Sequence, residues 1–301
     1  MFRTWVEFFR WCAMSIRVVG ADSEREASVC PTALVRTTMS CSLPQEILDL
    51  IVDHLHDEPA ALKACCIVTK SWIPRSRKHL FARVEFDTQK SHVELWKKAF
   101  PDPSNSPAYH TRSLSISGCS AITAASTDAG GWIRTFRNVI HLRFDFLGQE
   151  AHQASLIPFH GLSPTVRSLC MTSTTVEDFN LVCSFPLLED LSFVCFGSDS
   201  EPDRWNAPLR SPKLTGSLDL RTIGGFRAAV CRLLDFPDGL HFTKIKVSCL
   251  ARDFESTTEL VSRCSGTLES FTICNWFPGM FPSASVIGQY LTAAHRPRHL
   301  A

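Results

Sequence analysis

The sequence predicts an α/β protein in which a three-helix module precedes an irregular series of repeats with a parallel sheet and outer helices. Three observations support this class. Within residues 43–84, apolar positions recur at helical spacing and prolines stand where helices can begin. From residue 114 onward, a short alternating apolar pattern recurs every 22 to 28 residues. Amphipathic segments separate these patterns, and a strand–helix–strand order is typical of parallel sheets.

Composition indicates a folded protein of a reducing compartment. Of the 301 residues, 45 % are hydrophobic and 20 % are charged, as in ordinary globular proteins. The net charge of +1 gives no general attraction to nucleic acid or membranes, and no stretch reaches the roughly 18 apolar residues that span a bilayer. The 13 cysteines are odd in number and include no C-x-x-C pair. We therefore expect a cytoplasmic or nuclear location, or both.

Residues 1–40 are predicted to be an N-terminal extension, helical or disordered. Its first half is aromatic and partly basic, but Glu7 and Arg10 interrupt the apolar run that a secretory signal requires. A mitochondrial presequence and initiation at Met39 stay open as alternatives. Residues 20–40 are small and polar, which suits a linker.

The first helix of the module is predicted to begin near Pro44. Ser42 and Gln45 have the spacing of a capping box, and a proline is tolerated in a first turn because its missing N–H needs no partner there. A row of apolar residues at helical spacing follows. It consists of Ile47, Leu50, Ile51 and Leu55.

Two more short helices complete the module. Asp57 or Glu58 with Pro59 is predicted to begin the second, and Ser71 is predicted to cap the third, with Pro74 in its first turn. So small a bundle buries too little apolar surface to be stable alone, and we expect it to need a partner surface. The apolar residues are Leu62, Cys65, Cys66 and Val68 in the second helix, and Trp72, Leu80 and Phe81 in the third.

An ordered set of motifs runs through this module. They are Leu43-Pro44, Glu46-Ile47, the spaced Ile51 and Leu55, Val68-Thr69-Lys70-Ser71-Trp72, and Leu80-Phe81. In this order and spacing they resemble the F-box family, with Thr69 where serine is commoner. We therefore interpret residues 41–85 as an F-box. The open alternative is a three-helix cap on the repeats.

The resemblance implies that the module binds a Skp-type adaptor and, through it, a cullin and a RING subunit. The segment from Lys70 to Arg83 also carries basic residues and no acid. These are expected either to steer an acidic partner or to form an ordinary solvated helix face. The residues that the resemblance assigns to adaptor binding are Leu43, Pro44, Glu46, Ile47, Leu50, Ile51, Leu55, Val68, Trp72, Leu80 and Phe81.

After residue 86, seven short strands are predicted from pairs of apolar residues separated by one position. Five of them have a further apolar residue three places upstream, and such alternation indicates a strand with one buried face. The pairs are Leu114/Ile116, Leu142/Phe144, Leu169/Met171, Leu191/Phe193, Leu218/Leu220, Ile245/Val247 and Phe271/Ile273. The upstream residues are Val139, Val166, Leu188, Phe242 and Leu268.

Helices are predicted between the strands, at residues 225–236 and 253–263, around Trp132 to Phe136, and at 176–182. One strand and one helix per 20–29 residues resembles the leucine-rich-repeat family, most closely in the segment from Phe185 to Phe193. The asparagine or cysteine that usually follows the strand is not regularly placed, so residues 86–301 are interpreted as an irregular solenoid.

Two features of this solenoid stay open. An ordinary doubly wound α/β domain is the alternative, although no strand is followed by the glycine-rich phosphate loop typical of that class. The sequence ends in a polar basic stretch that does not resemble a terminal cap. We therefore expect either a truncated sequence or an exposed last repeat.

No motif indicates catalysis, so we expect no enzymatic activity, no cofactor and no metal. Gly161-Leu162-Ser163-Pro164-Thr165 lacks the final glycine of a hydrolase elbow. His54 and His56 with Cys65 and Cys66 fit no zinc spacing. A Cys–His nucleophile pair is not excluded by 13 cysteines and 11 histidines, but nothing marks one out.

The function that the resemblance implies is substrate recognition within a ubiquitin ligase. Alternatives are a repeat scaffold without a ligase and an enzyme of unrecognised type. No nucleic acid or membrane is expected as a partner, and the target protein is not identified. The residues between the apolar strand positions are expected to face the target. The charged ones, Arg143, Asp190, Asp219, Lys244 and Lys246, are predicted to contact it.

Overall fold

A computed structural model describes residues 43–87, 91–117, 129–145, 162, 164–173, 179–196, 212–248 and 251–274. Among these, residues 43–83 and 92–111 form one compact unit, and residues 84–87, 91 and those from 112 onward form a second. The expected N-terminal extension, Ser42 and the C-terminal basic stretch lie outside the described residues.

The first unit begins with three short helices, as the sequence predicts. Helix α1 covers Gln45–His54 with Pro44 as its N-cap, helix α2 covers Pro59–Val68, and helix α3 covers Ile73–Leu80. The two prolines expected at helix starts, Pro59 and Pro74, lie in first turns, where a missing N–H costs no helical hydrogen bond.

Two capping predictions are wrong. The N-cap of α1 is Pro44 and makes no side-chain hydrogen bond, so the predicted capping box of Ser42 and Gln45 does not cap this helix. Ser71 does not cap α3, because a 3₁₀ turn at Lys70–Trp72 precedes that helix and Trp72 occupies the N-cap position. The N-cap makes no side-chain hydrogen bond. Prolines, rather than a capping hydroxyl, therefore mark where α1, α2 and α3 begin.

The first unit continues with helix α4 at His92–Ala99 and two 3₁₀ turns at Pro103–Asn105 and Pro107–His110. The sequence reading did not predict these elements. The carboxylate of Asp102 and the hydroxyl of Ser106 accept backbone N–H groups at the two turns, which satisfies donors that the turns leave unpaired.

An aromatic cluster fills the core of this unit. The rings of Phe81 and Trp96 meet edge to face at 5.9 Å, and Trp96 and Phe100 lie 4.8 Å apart. Val52 and Leu62, each 1 % exposed, come from α1 and α2. Helix α4 thus supplies Trp96 to a core that the first three helices could not have filled alone.

The second unit contains an eight-stranded sheet whose strands lie side by side in chain order. Strands β2 to β8 pair in parallel. A doubly wound domain requires a reversal of strand order, and the described strands show none, so that alternative is wrong. The strands are β1 Arg83–Asp87, β2 Ser113–Ser117, β3 His141–Asp145, β4 Ser168–Ser173, β5 Asp190–Phe196, β6 Ser217–Gly224, β7 Lys244–Ser248 and β8 Ser270–Cys274.

Burial alternates along each strand in the predicted register. In β3, Leu142 and Phe144 are buried, whereas His141 and Arg143, which alternate with them, are exposed. All the predicted apolar pairs of β2 to β7 are buried, and those of the last strand, β8, are partly exposed. The strand predictions are therefore confirmed. Strand β1 was missed, although Val84 and Phe86 show the same alternation.

A repeated backbone hydrogen bond joins successive repeats just before their strands. The carbonyl of Ile140 accepts both the Arg167 N–H at 2.9 Å and the Ser168 N–H at 3.0 Å. The carbonyls of Arg112, Arg167 and Thr243 bond in the same double fashion. This arrangement holds neighbouring strands in a single register, and a one-residue slip would expose the apolar face.

After β2, four described helices lie between strands: α5 at Ala129–Ile133, α6 at Phe179–Val182, α7 at Phe226–Leu234 and α8 at Phe254–Arg263. Each overlaps a predicted helix. Gly225 precedes α7 with a φ of 68°, a left-handed conformation that glycine adopts without strain. Among the described residues, every helix is too short or too polar to span a bilayer.

Candidate functional site

Helix α1 presents an exposed row of large apolar side chains, here named the apolar stripe. Large apolar residues so exposed on one helix face indicate a surface that a partner covers. The stripe consists of Leu43, Ile47, Leu50 and Ile51, which are 52, 43, 56 and 41 % exposed.

The apolar stripe exists because α1 has two apolar faces. Val52 is buried and Leu48 and Leu55 are half-buried, so one helix face packs into the first unit. Residues three and four apart share a face, and Ile47, Leu50 and Ile51 therefore lie on another. The unit thus leaves the second apolar face of this helix exposed.

The remaining residues predicted to bind an adaptor fall into two groups. Pro44, Glu46 and Val68 are exposed, and Val68 is accompanied by the exposed Ile67 at the end of α2. The others are partly or fully buried, so they hold the helices rather than offer surface: Leu55 and Trp72 are half-buried, and Leu80 and Phe81 lie in the core.

An ion-pair cluster ties α1 to α3. The carboxylate of Asp53 accepts two hydrogen bonds from the Arg75 guanidinium, one from Nε at 2.5 Å and one from Nη2. Its Oδ1 also lies 2.7 Å from Nε2 of His79. The hydrogen bonds from Arg75, followed by that with His79, hold the pKa of Asp53 well below its usual range. The cluster therefore fixes the helix that carries the apolar stripe.

The second unit offers a different surface, the polar face of its sheet. Strand register aligns the residues between the buried apolar positions into rows that cross the sheet. One row is Ser113, His141, Ser168, Asp190, Ser217, Lys244 and Ser270, and the next is Ser115, Arg143, Cys170, Ser192, Asp219, Lys246 and Thr272. All five residues predicted to contact a target lie in these two rows.

Two of those five residues are engaged in ion pairs along their own strands. Nε of Arg143 lies 2.8 Å from Oδ2 of Asp145, and Nε of Arg221 lies 3.0 Å from Oδ1 of Asp219. These hydrogen bonds raise the pKa values of both arginines. Asp145 and Arg221 were missed by the sequence reading, although residues two apart on a strand share a face.

Asp190 serves the sheet itself. Its Oδ1 accepts the backbone N–H and the hydroxyl of Ser217, each at 2.7 Å. Lys244 and Lys246, by contrast, are exposed and make no ion pair with any residue that the structure describes. Of the five residues predicted to contact a target, only Lys244 and Lys246 therefore have a charged group that no described side chain engages.

Two of the described cysteines have thiols of low reactivity. Burial raises the pKa of the Cys183 and Cys264 thiols to about 11, which keeps them protonated and poorly nucleophilic at neutral pH. Within the described ranges, no group of three or more His, Cys, Asp or Glu side chains is placed to hold a metal ion.

Comparisons with known proteins return nothing: no family model, no curated protein and no solved structure matches the chain.

Proposed function

We propose that the protein is a substrate-recognition subunit of a Skp–cullin–F-box ubiquitin ligase. In this proposal the first unit is an F-box that binds a Skp-type adaptor, and the second unit is a leucine-rich-repeat-like solenoid that holds a target protein. The apolar stripe of α1 is the observation that carries the proposal.

The stripe supports docking on both chemical and positional grounds. Leu43, Ile47 and Ile51 belong to the motif that resembles the F-box, and all three are exposed large apolar side chains. Complete burial of a fully exposed side chain of this kind contributes about 1.5–3 kcal/mol, and roughly half of each side chain is still exposed here. The stripe therefore has enough apolar surface to account for a stable protein–protein contact.

The second unit supports the repeat half of the proposal. Its parallel strands follow one another in chain order, and short helices occur between several of them. Each strand buries one face and exposes a polar one, which leaves a continuous surface for a protein partner. Solenoids use such surfaces for binding.

The proposed mechanism is proximity rather than chemistry by this chain. An adaptor bound at the apolar stripe would connect the chain to a cullin and a RING subunit, which recruit the ubiquitin-charged enzyme. A target on the second unit would then hold its lysines at a high effective concentration near the ubiquitin.

Adaptor binding by the purified full chain tests the proposal. Wild-type protein should bind a purified Skp-type adaptor in a pull-down and by calorimetry. Ile47→Asp, or Leu43→Ala with Pro44→Ala, should weaken binding by about 100-fold or more, because an unpaired carboxylate or a lost apolar contact in the interface costs several kcal/mol. Ile47 is exposed, so the fold should tolerate the aspartate.

Leu187→Asp is the matched control, since Leu187 is also an exposed apolar residue, 46 % accessible, but lies in the second unit. It should bind the adaptor as the wild type does. Undiminished binding by Ile47→Asp would contradict docking at the stripe. If wild-type chain binds no adaptor while still capturing a partner protein, the repeat scaffold without a ligase is the better function.

A further inference from the structure

Charge on the polar face of the sheet is unevenly compensated. Arg143 and Asp219 are neutralised by partners two residues away on their own strands, and Asp190 accepts two hydrogen bonds from Ser217. Strand β7 differs, because Lys244 and Lys246 are both exposed and neither forms an ion pair with a described residue. In the two rows from β2 to β8, unpaired lysine charge is therefore found on β7.

The two lysines have a defined spacing. They stand two residues apart on one strand, so their Cα atoms are about 6.6 Å apart and their side chains share a face. Lys244 lies between Ser217 and Ser270 in the register, and Lys246 lies between Asp219 and Thr272. We name Lys244, Lys246, Ser270 and Thr272 the β7 patch.

We propose that the β7 patch binds an extended segment of a partner protein that carries acidic side chains at alternate positions. An extended chain repeats its side chains on one face at the same interval of about 6.6 Å, so two carboxylates can meet two ammonium groups in register. The hydroxyls of Ser270 and Thr272, both exposed, can donate hydrogen bonds to carboxylate oxygens.

The neighbouring strand favours the same ligand. The carboxylate of Asp219 stands beside Lys246 in the register, but the Arg221 guanidinium already binds it, with its Nε at 3.0 Å. Asp219 therefore competes weakly with an incoming carboxylate. That the bound segment belongs to a ubiquitination target rests on the proposed function, whereas binding of the segment does not.

A peptide fits this surface better than nucleic acid does. Nucleic-acid sites present a basic stripe that follows several phosphates. In the two rows that cross β2 to β8, the unpaired lysines both lie on β7, and the arginines of β3 and β6 are bound by aspartates. The net charge of the whole chain, +1, adds no longer-range attraction for a polyanion.

Fluorescence anisotropy with the purified full chain tests the inference. The probe is a fluorescein-labelled peptide in which glutamate alternates with serine, and the control peptide has glutamine in place of glutamate. Wild-type chain should bind the acidic peptide and not the control, and added salt should weaken binding. Lys244→Glu with Lys246→Glu should weaken it by about tenfold or more, because repulsion replaces attraction at two positions.

Arg227→Glu is a charge-reversal control outside the β7 patch, because Arg227 is exposed on helix α7; it changes the net charge by half as much as the double lysine variant does. It should bind the acidic peptide within about twofold of the wild type. Equal binding by the double lysine variant, or no binding of the acidic peptide by the wild type, would overturn the inference. So would preferential binding of polyuridine RNA through the same lysines.

The adaptor pull-down separates this inference from the proposed function. The double lysine variant should bind the adaptor normally, since its changes lie in the second unit and α1 lies in the first. If the wild type binds the adaptor but not the acidic peptide, the β7 patch is rejected and the proposed function is retained. Peptide binding by the patch without any adaptor binding rejects the ligase and retains the patch.

Discussion

Asp190 and Ser217 are joined by a side-chain bridge at the point where the backbone pattern of the sheet changes. Elsewhere on described strands, one carbonyl accepts two successive N–H groups of the next repeat, as Ile140 does from Arg167 and Ser168. Here the Glu189 carbonyl accepts only the Gly216 N–H, at 3.1 Å. The Ser217 N–H instead donates to Oδ1 of Asp190, at 2.7 Å. The carboxylate thus replaces a backbone acceptor.

Gly216→Ala should lower the free energy of unfolding by about 1–3 kcal/mol. A Cβ at this position would lie 2.4 Å from Oδ1 of Asp190 and 3.0 Å from the Glu189 carbonyl oxygen. The carboxylate must move away, which leaves the Ser217 N–H without its acceptor. Urea unfolding followed by circular dichroism measures the change.

Gly266→Ala is the control for this substitution, since a Cβ there meets nothing within 4 Å. Its effect should stay within about 0.5 kcal/mol. Asp190→Ala should also destabilise the protein, and the double variant Gly216→Ala with Asp190→Ala should lose less than the two single losses added together. Fully additive losses would show that the glycine does not act through the bridge.

Asp53→Asn should destabilise the first unit by about 1 kcal/mol near neutral pH, an estimate reduced for the partial exposure of the pair. The side chains of Asp53 and Arg75 are each 32 % exposed. The substitution removes the charged acceptor of Arg75 and His79 that ties α1 to α3. Urea unfolding of the full chain, followed by tryptophan fluorescence, measures the loss.

The same variant makes a pH prediction. Because the folded pKa of Asp53 is depressed, the carboxylate stabilises the fold fully above its unfolded pKa, about 3.9, and loses this contribution as pH falls below that value. The difference between wild type and Asp53→Asn should therefore be present above about pH 4 and shrink below it. Glu58→Gln, which removes an exposed carboxylate outside this cluster, is the control measured beside it.

Asp219→Asn should strengthen binding of the acidic peptide by about two- to fivefold, because it removes a carboxylate beside Lys246 and releases Arg221. The matched control is Asp145→Asn, which opens the equivalent ion pair with Arg143 on β3. That pair lies four strands from β7, about 19 Å away, which exceeds the Debye length of about 8 Å at physiological salt. Equal enhancement by both variants would indicate a nonspecific charge effect.

The strands were predictable because each one carries its own signal. Leu142 and Phe144 alternate with polar residues, and the same alternation returns at intervals close to one repeat. Period-two patterning needs no long-range information, so the buried row was identified correctly from β2 to β7. Strand β1 was missed because its single alternation, Val84 and Phe86, spans the boundary that was placed between the helical module at 41–85 and the repeats at 86–301.

The helices of the first unit were predictable for a similar reason, through proline positions and helical spacing. Which residues of these helices are buried could not be predicted from the sequence. Val68 was expected both on the apolar face of α2 and at a docking surface, and it is 65 % exposed, whereas Leu80 and Phe81 are buried in the core. Spacing alone does not reveal which apolar face of a small bundle is covered, because that depends on distant residues such as Trp96.

By itself, the sequence determined the element types, the strand register and the motifs that resemble an F-box, because these depend on local spacing and on residues close in the chain. Only the tertiary structure decided which charged side chains of the sheet are engaged by neighbouring groups and which can bind a partner. Asp190 could be recognised as a partner of Ser217, 27 residues away, only once the parallel pairing of β5 with β6 was known. Hydrogen bonds between repeats follow from that pairing, and no local pattern encodes them.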